Sequence, residues 1–312
     1  EFTLINVDGG DKKVFAEKGF YLHCSSPDGR YMYGVTPRDM IFPGDTISEL
    51  DKKGILRVDL ETGKRDLIFS IAQCIENLPN KDKLSGYHLY PKMMVVHPVS
   101  GRILFNFVNS LWDVAKREPS IKSLITINPD GSSPAYLGNV HHHPNWHPTE
   151  DRVVGNVRDC NDKLRFGLYN GDGLGLLEYV PKTKGSGHPT ISPDGKWICT
   201  DSKGGEAYDN SIIFCDIVSG EEYYVAKFKA VSDEYAVFKA VKNLPENAKV
   251  LETLNHYKKN GREWQSKDRR QTQCHPAWSR DGSAILFNTD TGDGNGSQLF
   301  MIDVEDSIAD FK

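Results

Sequence analysis

The chain has 312 residues, 38% apolar and 10% aromatic, which is enough to bury a large core in one domain or two. Its net charge of −5 comes from acids and bases interspersed along the chain, which excludes the basic face of a nucleic-acid-binding protein. No run of about 18 apolar residues occurs, so no helical membrane span is expected.

In chain order, the opening stretch Phe2-Thr3-Leu4-Ile5-Asn6-Val7-Asp8-Gly9-Gly10 reads as the second hairpin of a sheet whose first hairpin is absent. The expectation is therefore a molecule that continues upstream of residue 1. A signature then recurs: a short strand, a Pro/Asp/Gly turn and a strand of alternating apolar residues. It appears at Ser26-Pro27-Asp28-Gly29, His97-Pro98-Val99-Ser100-Gly101, His147-Pro148-Thr149-Glu150-Asp151, Ser192-Pro193-Asp194-Gly195 and Ser279-Arg280-Asp281-Gly282. Asp-Gly supplies the positive φ of a tight hairpin, and the alternation after it marks a half-buried strand. Every copy except the third is followed by a second recognisable hairpin, as at Gly54–Lys64, Leu124–Gly131, Ser211–Gly220 and Leu299–Val304. Two hairpins make one four-stranded blade, so the expectation is an all-β fold, a single β-propeller over 1–312 with five complete blades and half of another. Between the fourth and fifth turns, about 228–270 form an insertion whose segments Ala236–Lys242 and Ala248–Leu254 have helical spacing, as a binding lid or as decoration. Cys24, Cys74, Cys160, Cys199, Cys215 and Cys274 show no CxxC spacing. They read as small buried residues, and the expected compartment is the cytoplasm, with the periplasm or secretion as the alternatives.

The first strand of each propeller blade lines the central channel, and its start lies on one face of the ring. Counting back five residues from the turn proline, or from Arg280 where it is replaced, gives His143, His188 and His275 in three consecutive blades. A single histidine there would read as a packing residue; three at one structural height point to a site. Gln273 and His275 are two apart and face the same side of a strand, while Cys274 faces the core. Imidazole with an amide oxygen suits a borderline-to-hard divalent ion, with Mn²⁺ expected and Ca²⁺ the alternative. Of the run His141, His142, His143 and His147, alternation lets at most two face the channel, and His141 and His142 read as loop residues.

At these residues the sequence resembles the oligogalacturonate lyases, seven-bladed propeller enzymes. The likeness is carried by Asp268-Arg269-Arg270-Gln271-Thr272-Gln273-Cys274-His275-Pro276-Ala277-Trp278, by Gly187-His188 ahead of the fourth turn, and by His143 with Trp146. It implies seven blades with about one and a half missing in front, and places residues 1–15 in the second. It also implies metal-assisted β-elimination at a uronate, with His188 and His275 as ligands and His143 as the base. Two departures stand out: the family's second histidine of the last-blade pair is Gln273 here, and its glutamine ligand falls on Arg270, next to Gln271. The family's substrate-neutralising arginine aligns with Ser123, beside Lys122.

Elimination removes a weakly acidic proton α to a carboxylate, whose charge a metal or cation must neutralise. The ligand candidates are His188, Gln273, His275 and Gln271; the cation candidates are Arg165, Arg158, Lys122 and Arg270. Tyr87, His88 and Tyr90 either stack on a sugar ring or pack in the core. The expected partner is an acidic oligosaccharide, with neither nucleic acid nor membrane. The alternatives are a lyase for another uronate, such as rhamnose-linked glucuronate, and a non-catalytic TolB-like binding propeller.

Overall fold

The computed structural model describes residues 2–4, 10, 13–15, 20–36, 49–84, 87–109, 121–139, 142–174, 178–185, 187–203, 209–229, 274–290 and 297–305. Their contacts fall into two compact units, Glu1–Tyr136 and Leu137–Lys312.

In the first unit, β1 (Phe2–Leu4) and β2 (Lys13–Phe15) pair antiparallel, in the place where an opening hairpin is expected. The next sheet is β3 (Tyr21–Ser25), β4 (Tyr31–Thr36), β5 (Gly54–Asp59) and β6 (Arg65–Ser70), hydrogen-bonded in chain order. A short helix α1 (Ile71–Glu76), absent from the expected all-β pattern, follows it. Its start is a reciprocal cap in which the Ser70 hydroxyl accepts from the Gln73 N–H and the Gln73 side chain accepts from the Ser70 N–H. The third sheet is β7 (Leu89–Val96), β8 (Ile103–Asn109), β9 (Lys122–Ile127) and β10 (Ala135–Asn139), and the unit boundary falls within β10.

In the second unit, β11 (His142–Trp146), β12 (Arg152–Arg158), β13 (Leu164–Asn170) and β14 (Glu178–Tyr179) form one four-stranded sheet. β15 (Thr190–Ile191), β16 (Trp197–Lys203), β17 (Asp209–Asp216) and β18 (Glu222–Lys229) form the next. The last, β19 (Ala277–Trp278), β20 (Ala284–Asp290) and β21 (Ser297–Asp303), has three strands among the described residues, where four were expected. Only the start of the expected insertion is described, and there it continues β18; the two helical segments lie outside the described residues.

The five turns close alike. Ser26, His97, His147, Ser192 and Ser279 each donate their backbone N–H to the carbonyl five residues on, at 2.7–2.8 Å. Where serine opens the turn, its hydroxyl donates to the aspartate two residues on, as in Ser192–Asp194 and Ser279–Asp281, both at 2.6 Å. Where histidine opens it, the ring replaces both groups: His97 Nδ1 accepts from the N–H of Val99 and Ser100, and His147 Nδ1 from those of Thr149 and Glu150. This explains why two of the five copies carry His-Pro in place of Ser-Pro.

The inner strands were expected to be half-buried. In the fourth blade they are buried on both faces, because two apolar clusters flank the sheet. Ile198 and Cys215 join Val154, Phe166, Leu168 and Ile191 on one side, while Cys199, Ile212 and Phe214 join Cys274, Ile285 and Phe287 on the other. First strands follow one another in space, with β11 beside β15 and β15 beside β19. All six cysteines are free; Cys74, Cys199, Cys215 and Cys274 are buried as expected and Cys24 half-buried, but Cys160 is exposed in the turn between β12 and β13.

Candidate functional site

In three of the first strands the residue five before the turn sits at a break in the regular pairing. The register shifts between Leu22 and Cys24 in β3, between Lys92 and Val95 in β7, and between His142 and Asn145 in β11. Met93, His143 and His275 are all left-handed there, at φ 54°, 48° and 44°. Such a conformation costs a non-glycine residue about 1–3 kcal/mol and needs surrounding structure to hold it. Met93 shares it, so the bulge is a device of the fold that the histidines exploit. Ahead of β15 the left-handed residue is Gly187, at φ 51°, one position before His188.

The three expected histidines come together. Ring centroids are 3.7 Å apart for His188 and His275, 4.0 Å for His143 and His188, and 6.1 Å for His143 and His275. At 4.0 Å the His143 ring packs directly on that of His188, one blade away. His147 is the buried acceptor of its turn.

Beneath the cluster lies Asp201 on β16, a residue the sequence reading passed over. Both its carboxylate oxygens lie against His188 Nδ1, at 2.8 and 2.9 Å. It also accepts from the backbone N–H of His188 at 2.7 Å, of Cys274 at 3.1 Å and of His275 at 3.3 Å. Burial works to raise the Asp201 pKa, but the His188 hydrogen bond and charge and these N–H groups bring it below the ordinary carboxylate value. The His275 pKa is lowered, by burial first and then by the charge of His188, with Asp201 opposing; a neutral imidazole is thereby favoured. His188 Nε2 is buried and has no hydrogen-bond partner among the described residues. A signal for Asp201 was present: it lies eight residues after its turn proline, as do Asn106 and Asn156, with Asn288 eight after Arg280. Asn106 Nδ2 reaches Met93 Sδ at 3.7 Å, so the pairing of this position with the bulge recurs in a blade without a histidine.

Arg165 on β13 is tied within its own blade, its Nε 3.2 Å from Asp159 Oδ2 and its Nη1 2.9 Å from the Thr183 carbonyl. Arg158 pairs with Asp162. Lys122 begins β9 in the first unit, where Ser123 is buried. Tyr87 packs against that unit's apolar cluster and His88 and Tyr90 are buried, which favours packing over sugar stacking for all three. Arg270, Gln271 and Gln273 lie outside the described residues. Among the described residues no three His, Cys, Asp or Glu side chains converge in metal-binding geometry.

No family model and no curated protein matches the sequence. Solved structures do. Oligogalacturonate lyase from Vibrio parahaemolyticus aligns at a TM-score of 0.55 and 14% identity, over 98% of this chain and 69% of that one. An oligogalacturonate lyase in complex with manganese aligns at 0.51 and 17%, over 96% and 82%. TolB from Acinetobacter baumannii aligns at 0.52 and 15%, over 97% of this chain, which spans only 57% of TolB's length. With its successive antiparallel four-stranded blades, this chain is a β-propeller, the fold it shares with these solved structures.

Proposed function

We propose that this protein is a carbohydrate lyase that cleaves a uronic-acid-containing oligosaccharide by β-elimination at the His143–His188–His275 cluster. The observation that carries the reading is the buried Nε2 of His188, without a hydrogen-bond partner among the described residues, backed through Nδ1 by Asp201 and set among two further imidazoles. A metal-ligating histidine characteristically carries a carboxylate on its other nitrogen, so this donor set fits a divalent ion such as Mn²⁺. His188 and His275 would hold it, with Gln273 and Gln271 as further ligand candidates. Bound there, the ion supplies positive charge opposite the substrate carboxylate. A ring nitrogen of His143 takes the proton from the carbon α to that carboxylate. The C–H electron pair becomes the C=C bond, the glycosidic C–O bond breaks, and the departing oxygen gains a proton to become a hydroxyl. For His143 to reach a sugar, its ring must swing off His188, a rotamer change that a half-buried side chain permits.

A TolB-like binding propeller is the second reading, favoured by the stacking of the rings and the absence of a converged three-ligand set among the described residues. The two separate on incubation with acidic oligosaccharides, galacturonate- and glucuronate-containing, with and without added Mn²⁺. The lyase reading expects absorbance from a new conjugated double bond; none with any substrate, and no Mn²⁺ bound, leaves the binding module.

A further inference from the structure

We propose that Asp201 is the positioning residue of the histidine cluster, holding His188 in the Nδ1–H form with its Nε2 lone pair facing the site and pinning the backbone from which His275 projects. Metal coordination by that lone pair rests on the function proposed above; the orientation itself does not.

Three elements meet at this carboxylate. It leaves β16 to reach the His188 N–H and ring just ahead of β15, then the N–H groups of Cys274 and His275 at the start of the next blade. The approach depends on Gly187, because a side chain there would run into the Asp201 carbonyl and carboxylate. Gly187-His188 and Asp201 are thus two halves of one device. A carboxylate only accepts hydrogen bonds, so the His188 Nδ1 facing it must donate. His97 and His147 are wired the other way, their Nδ1 atoms accepting from backbone N–H groups that can only donate. One protein therefore holds imidazoles in opposite tautomers, each set by its partner.

A buried aspartate tied to backbone N–H groups is compatible with a purely structural role, so the test reads the ring. ¹⁵N-histidine-labelled full-length protein is examined by two-bond ¹⁵N–¹H correlation without metal, then titrated with Mn²⁺ alone. His188 is expected as Nδ1–H, opposite to His97 and His147. In Asp201→Asn, which keeps the shape, His188 should lose that single tautomer and Mn²⁺ affinity should fall roughly 10–100-fold. An Nε2–H or doubly protonated His188 in the wild-type protein overturns the proposal, as does a folded Asp201→Asn variant with tautomer and affinity unchanged. If Asp201→Asn does not fold, the wild-type tautomer decides. Failure of the lyase reading shows instead as absence of unsaturated product, and leaves the tautomer readout standing.

Discussion

His143 and His147 are four residues apart, and the fold uses them differently. His147 is an acceptor for the N–H groups of Thr149 and Glu150, whereas His143 sits in a left-handed bulge against two other rings. His147→Ala should therefore cost about 1–2 kcal/mol in denaturant unfolding, the cost of leaving two turn donors to water, and leave Mn²⁺ binding intact. His188→Ala should abolish Mn²⁺ binding and turnover together, read by metal content and product absorbance, because it removes the imidazole that Asp201 orients and whose Nε2 has no hydrogen-bond partner among the described residues. The histidines were legible in the sequence because a fixed offset from a recognisable turn places them at one height. Asp201 was legible by the same arithmetic, eight residues after the proline, but an aspartate inside an apolar strand carries no mark of its own until its partners are seen. Ring spacing was not legible: offsets fix height, not the direction that a bulge gives a side chain.

The turns hold the blades in register, and their glycines are not equivalent. Gly29 has φ 72° and open space around its α-carbon, whereas a side chain on Gly195, φ 73°, would press on the His147 ring. Gly29→Ala should cost about 1–2 kcal/mol, the price of the left-handed backbone alone. Gly195→Ala should cost a further 1–3 kcal/mol or so from overpacking, with both read from urea midpoints. A larger loss for Gly29→Ala would contradict this placement of the two turns. Pro-Asp-Gly made the turns readable from residue types, because those residues bring their own φ preferences. The left-handed positions were not readable, since Met93, His143 and His275 have no left-handed preference strong enough to announce one. The helix α1 was missed as well, although Ser70 and Gln73 have cap spacing, because six residues are too few to show helical periodicity.

Across the molecule, aspartates that accept turn and hairpin N–H groups recur. Asp28, Asp59, Asp130, Asp159 and Asp281 all have pKa values below the ordinary carboxylate value, with hydrogen bonds the first cause; Asp281 is at about 2, set first by the Ser279 hydroxyl. A carboxylate depressed in the folded state stabilises it above the unfolded pKa, near 3.9, and that contribution is lost as pH falls through the folded value. The lowered His275 pKa adds an earlier loss, which begins as pH falls below the unfolded histidine value near 6.5, because the unfolded chain takes up that proton first. Melting temperature should thus dip below about pH 6.5 and decline progressively below about pH 4; a level curve through pH 3 would contradict this account. The blade repeat was readable because each copy brings its own turn, but two-sided burial was not, since it comes from neighbouring blades and not from the strand itself. Everything proposed about the chemistry converges on His143 as the base. The most direct test is turnover of an acidic oligosaccharide by His143→Ala, with folding and bound Mn²⁺ verified in the same sample. The account predicts loss of nearly all product formation with the metal retained; wild-type turnover by the folded, metal-loaded variant would contradict it.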